Sequence, residues 1–322
     1  MNKFNQNPYT QKHQLGAKMD FATSGLLATY KGSFKDYSRT GFWTMEALLT
    51  SSNFSRNFFG KENLSTYDKD LYKDNYYRVR TSQFEIKPSY QWKGRNGGSF
   101  LVGTTYESTK IVDTNDRLIS QQLTTTLNDS YDRTNYVGAR IKYAFANYDN
   151  AHEPTTGLAF SFLYGTRFLT DDFEQNNQYL RSKLNFVVPL TRDKKLTWSS
   201  SYLVEKVFGE HHFYQAASIG QNNGLRGYRQ QRFIGEAAFV SSQDLRFKMQ
   251  QITNSIMPMS YGIYAGYDTG KVWSDFDTNT QWYHSYGGGF WLNAMESFTA
   301  HIGAFSSKEE PILISFGLGF GF

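Results

Sequence analysis

One arginine stands between glycines in a polar stretch: residues 224–228 read Gly224-Leu225-Arg226-Gly227-Tyr228. Two acidic positions follow it, Asp244 and Asp268, and each lies in a run whose residues alternate in character. Side chains on a β-strand point to opposite faces in turn. Ser242, Asp244, Arg246 and Lys248 therefore share one face, and Phe239, Ser241, Leu245 and Phe247 share the other. The next run repeats the arrangement, with Gly262, Tyr264, Gly266 and Asp268 opposite Tyr261, Ile263, Ala265 and Tyr267. Both carboxylates thus occupy the face that an incoming loop could reach. Taken singly, each of these charges reads as an ordinary surface or lumen residue.

Other reactive side chains carry less. Glu210-His211-His212, with Glu205 nearby, invites a metal reading, but adjacent histidines on a strand point to opposite faces, which disfavours a shared ion. These residues read as a periplasmic turn, and His301 as a lumen residue. His284 and Asp275 lie too close to a loop to be argued into catalysis. No glycine-rich phosphate loop, nucleophile elbow or zinc-binding helix occurs in the sequence. The expectation is a chain with no catalytic residue, no metal and no cofactor.

What elements would position a charged loop against two strands? The chain has 322 residues, of which 39% are hydrophobic and 17% aromatic, and a mean hydropathy of -0.58. No run approaches the roughly 20 apolar residues that a membrane-crossing helix needs. A transmembrane β-barrel escapes that test, because only every second residue faces lipid. With 23 Tyr, 27 Phe, 27 Gly and only 6 Pro, the composition suits aromatic girdles and unbroken strands. Trp43, Trp92, Trp198, Trp273, Trp282 and Trp291 read as the interfacial belt of such a barrel. The absence of cysteine permits an oxidising compartment without proving one. A net charge of +5 spread along strand faces argues against a nucleic-acid partner.

Alternation runs through most of the chain. It is legible over 14–21, 26–31 and 41–49, then breaks at Asn57-Phe58-Phe59-Gly60 into a polar linker over 51–75. It resumes with Tyr77, Val79 and Thr81 facing lipid and Arg78 and Arg80 inward, and changes parity by Phe84, Ile86, Pro88 and Tyr90. A change of parity predicts a bulge near Ser82-Gln83. Asn96-Gly97-Gly98 predicts a hairpin, and a second linker covers 112–132. Further runs begin near Val137, Leu158, Leu180 and Trp198, and an alternating run over 213–219 precedes the arginine. The last run alternates Ile314, Phe316, Leu318, Phe320 and Phe322 with Ser315, Gly317, Gly319 and Gly321. A soluble sheet exposing such an edge would aggregate.

Together these residues resemble the superfamily of BamA-type outer-membrane assembly factors, the bacterial surface antigens, and the related two-partner secretion transporters. The signature there is a Val-Arg-Gly-Phe or Val-Arg-Gly-Tyr loop tip followed by an acidic position on each of the next two strands. Here the tip has Leu225 in place of valine. The resemblance implies an all-β fold, a transmembrane antiparallel β-barrel of 16 strands in the outer membrane of a Gram-negative bacterium. It implies that Arg226, with Gly227 and Tyr228, locks an inward-folded outer loop at 219–234 against Asp244 and Asp268. It makes Ile314, Phe316, Leu318, Phe320 and Phe322 the sorting signal of the closing strand.

About fifteen spanning runs are countable, and an even number is usual, so one strand is expected upstream of Met1. That count puts both long linkers on the periplasmic side. With no signal sequence at the start, residues 1–322 are expected to be the single barrel domain at the C-terminal end of a longer protein. Three functions are then open. The barrel assists insertion or translocation of proteins, with lipid, unfolded clients and periplasmic lipoproteins as partners. It anchors or exports an upstream periplasmic metallophosphoesterase. Or it is a passive porin.

Overall fold

The computed structural model describes residues 10–21, 23–36, 41–60, 65, 67–94, 96–123, 130–252, 258–274, 281–294 and 298–319. Phe320, Phe322 and Asp275, and all of the stretch ahead of Thr10, lie outside the described residues. Strands dominate: β1 (Gln11–Asp20), β2 (Gly25–Lys35), β3 (Gly41–Thr50), β4 (Ser55–Asn57), β5 (Arg78–Lys93), β6 (Gly98–Ile111), β7 (Arg133–Tyr148), β8 (Gly157–Leu169), β9 (Asn176–Pro189), β10 (Leu196–Gly209), β11 (Ala217–Ile219), β12 (Phe233–Gly235), β13 (Ala237–Ile252), β14 (Met259–Trp273), β15 (Tyr283–Ala294), β16 (Phe298–Ser307) and β17 (Leu313–Leu318). No described helix is long and apolar enough to cross a membrane.

Fourteen strands pair as antiparallel neighbours in the order β1-β2-β3-β5-β6-β7-β8-β9-β10-β13-β14-β15-β16-β17, and β4 adds to β5 beside β3. The strands form one all-β, antiparallel barrel sheet, with no ladder between β1 and β17 among the described residues. Alternation sets the two faces. Leu245, Phe247, Ile263 and Tyr267 are exposed on the outside, whereas Arg246, Tyr264 and Asp268 are buried within. Five tryptophans are outward and exposed, but Trp291 is buried on the inner face.

Among the described residues the spanning strands number fourteen, not the expected fifteen or so. The run over 213–219 ahead of the arginine is not one of them. Phe213–Gln215 is a 3-10 turn, and β11 pairs with β12 in a small two-stranded sheet of its own. An even count also moves the linkers. The described residues of both linkers, 51–75 and 112–132, lie at the same end of the barrel as the arginine segment, not opposite it. There they build a cap with helices α1 (Lys69–Lys73) and α2 (Leu118–Gln122). Phe58, Val79, Ile111, Ile119, Leu123, Phe213 and Ile234 form one apolar cluster beneath it. Glu210-His211-His212 is at this end as well, with the His212 ring stacked on Tyr214 at 5.0 Å.

The expected bulge at Ser82-Gln83 is absent. The β5–β6 register runs unbroken from Thr81↔Ile111 to Ile86↔Tyr106, so β5 keeps one parity through that position. The irregularity belongs to its neighbour: β3 pairs up to Leu49↔Phe84, and pairing resumes at Ser55↔Arg80. Val79 faces inward because the cap, rather than lipid, supplies its apolar partners.

Candidate functional site

Residues 210–236 leave the wall between β10 and β13 and fold over its inner face. An apolar core holds them there: Ala217, Ile219, Leu225, Tyr228 and Phe233 pack on Leu203, Ala238, Val240, Val272 and Tyr283. Phe233 and Tyr283 stack with ring centroids 3.7 Å apart. The segment enters the interior as a plug seated on an apolar patch of the wall. Gly224 has φ of 91°, a left-handed conformation that glycine adopts without the Cβ penalty. It turns the chain so that Arg226 projects toward the wall.

The guanidinium then meets both acids. Arg226 Nη2 lies 2.6 Å from Asp268 Oδ1 and 2.8 Å from Asp244 Oδ1. Its Nε–H donates to Asp268 at 3.1 Å, and its backbone N–H donates to Asp268 Oδ2 at 2.9 Å. Ser285 Oγ donates to the same oxygen at 2.9 Å and accepts from the Gly227 N–H at 3.1 Å. Arg246 Nη2 reaches Asp244 at 3.4 Å. Two guanidiniums thus face two carboxylates, so the buried cluster is neutral overall. Burial alone disfavours the charge on Arg226, but Asp244 and Asp268 outweigh it and hold the guanidinium above its ordinary pKa. Burial, with Glu309 nearby, pushes the Tyr228 phenol up to about 12; it stays neutral at physiological pH.

Three partners escaped the reading of the sequence. Phe305 is buried on β16, and the Arg226 guanidinium lies 4.0 Å from its ring centroid, a cation–π contact worth about 2 kcal/mol or more when desolvated. Its inward parity follows from the β16 alternation, but nothing local marks it as the arginine's platform. Ser285 and Arg246 likewise look like generic inward residues until register aligns them. Gly266 leaves room for the lock: a Cβ there would come 2.6 Å from Arg226 Nη2 and 2.7 Å from Asp244 Oδ1. His301 is an inward residue, as expected, bonded at 2.7 Å to the Gly319 carbonyl.

Below the lock lies a chamber of about 470 Å³, lined in part by Arg181, Lys183, Ser199, Ser201, Asn222 and Arg246. Among the described residues no group of acidic and histidine side chains could hold a metal ion. The lock ties the arginine segment to two strands of the wall.

Residues 114–292, more than half of the chain, match the model of the family described as haemolysin secretion/activation protein ShlB/FhaC/HecB. The chain belongs to this family. Solved barrels share its fold. BamA from Haemophilus ducreyi, in a structure lacking POTRA domains 1–3, superposes with a TM-score of 0.61 at 12% identity, covering 96% of this chain and 69% of that one. CdiB from Acinetobacter baumannii gives 0.62 at 11% identity, covering 96% and 53%, and CdiB from Escherichia coli 0.55 at 8%, covering 96% and 59%. This chain spans little more than half of the two CdiB chains. No curated protein matches it in sequence. As a member of this family of secretion/activation proteins it is an outer-membrane β-barrel of a Gram-negative bacterium. The resemblance seen in the arginine tip and its two acids therefore led to the right superfamily.

Proposed function

We propose that this barrel carries unfolded proteins across, or inserts them into, the outer membrane, and that residues 219–234 are a displaceable plug locked by Arg226. The observation that carries the reading is the lock itself: a charged residue from a loop reaches two strands of the inner wall and makes four polar contacts with one buried carboxylate. A passive pore has no use for a segment that fills its own lumen. Ile314, Phe316 and Leu318, all outward and highly exposed on β17, are the described part of the proposed sorting signal.

Deleting the gene and comparing the outer-membrane and secreted protein inventories by mass spectrometry tests this. Loss of one or a few secreted proteins supports secretion, and a general depletion of outer-membrane barrels supports assembly. Unchanged inventories would remove both.

The opposite mouth is also obstructed. The β7–β8 turn reaches across it: Thr299 Oγ1 on β16 donates to the His152 carbonyl at 2.6 Å, Ser260 Oγ on β14 donates to Glu153 at 2.5 Å, and Glu153 pairs with Lys248 on β13. Replacing Glu153 with alanine is expected to raise the conductance of the barrel in planar bilayers severalfold. A conductance equal to that of the parent would show that this turn does not restrict the pore.

A further inference from the structure

No backbone ladder joins β1 to β17 among the described residues, yet side chains connect the two sides at the arginine end. Arg232 is 1% exposed. Its Nε lies 3.2 Å from Glu310 Oε1 and its Nη2 3.3 Å from Glu309 Oε2, both in the turn that leads into β17. The same guanidinium donates to the Ser65 carbonyl at 3.3 Å, in the segment that follows β3 and β4. Arg229 does likewise. Its Nε lies 3.4 Å from Glu310 Oε2, its Nη2 donates to Tyr67 Oη at 3.0 Å, and its guanidinium sits 3.7 Å from the centroid of Tyr72. Each arginine therefore touches both the last strands and the segment tied to the first ones. The tie to β1 is completed by Asp20, which accepts from Ser55 Oγ and from Arg78 Nη1 at 3.4 Å.

We infer that Arg229 and Arg232 form a clasp that joins the first and last staves at the arginine end, independently of the lock at Arg226. The Glu310 side chain is fully buried, so it is bound to remain with these guanidiniums: a buried charge that loses its partner is strongly destabilising. The plug segment carries both arginines, so it also acts as the bridge across the gap in the backbone ladder. A barrel without the clasp keeps its wall pairings but frays at its first and last strands.

Hydrogen exchange on the purified full chain in detergent tests this without any client, so its outcome is separate from that of the transport reading. Burial pushes the Glu310 carboxyl up to about 7, and the measurement is made at pH 8.5, where it is charged. In Glu310→Gln and in Arg232→Met, amide exchange over 11–20 and 313–318 is expected to accelerate by at least about tenfold, as local opening predicts, while 157–189 in β8 and β9 keeps its rate. Should either variant fail to fold, Arg229→Gln, at a less buried guanidinium, carries the same prediction at smaller size. Unchanged exchange in the terminal strands, or uniform acceleration around the barrel, would overturn the clasp.

Discussion

Arg226→Ala is expected to destabilise the barrel by about 3–5 kcal/mol, the usual cost of leaving one member of a buried ion pair without its partner. Asp268 is fully buried and receives four of its hydrogen bonds from Arg226. The alanine variant retains only the backbone one of these. The folded, fast-migrating gel band should therefore convert to the unfolded form at a clearly lower temperature, and the plug segment should become accessible to protease. Arg226→Lys should fall between the two, because it keeps the charge but cannot span Asp268 and Asp244 with one planar fork. Asp268→Asn should resemble the alanine variant more closely than Asp244→Asn does, since Asp244 is the more exposed acid and also has Arg246. A heat-conversion midpoint for Arg226→Ala equal to that of the parent would refute the lock.

Gly227→Val is expected to expel the plug with every charge left in place. A Cβ at this position would lie 2.5 Å from Ser285 Cβ and 2.8 Å from the Ser306 carbonyl oxygen. The obstacle is the wall of two adjacent strands, which a small side-chain movement does not relieve. Overpacking of this kind costs about 1–3 kcal/mol in an ordinary core, and here it can be relieved by withdrawing the loop. Cleavage within 219–234 by a dilute protease should therefore rise at least tenfold, while the wall strands stay protected. The two substitutions act on one docking event, so their effects should be far from additive. If the double variant loses the sum of the two single losses in stability, the glycine serves some purpose other than admitting the arginine.

Much of the architecture was legible because period two is a local rule. Leu245 against Arg246, or Ile263 against Tyr264, sorts outside from inside with no knowledge of the partner strand. The inward parity of Asp244 and Asp268 came the same way. The errors fall where parity is not local. The run over 213–219 alternates like a stave, yet it pairs only with 233–235, because the plug provides its own small sheet. That one additional strand made the count odd and sent both linkers to the wrong end. Val79 and Thr81 alternated correctly, but the sequence does not say whether an apolar face meets lipid or a cap, and a bulge was the simpler explanation.

The sequence alone determined the inner and outer faces of the strands and the shared inward parity of Asp244 and Asp268, since each follows from residue type and spacing of two. The 16-strand barrel and the pairing of Arg226 with both acids were what the family resemblance implied. The tertiary structure decided who meets whom across the lumen. Phe305 lies beneath the guanidinium, Glu310 between two further arginines, and Glu153 beside Lys248, at separations of many tens of residues. Register and closure bring such pairs together, and both depend on the ladder as a whole, because hydrogen bonding between strands fixes axial position and curvature only when all neighbours are in place.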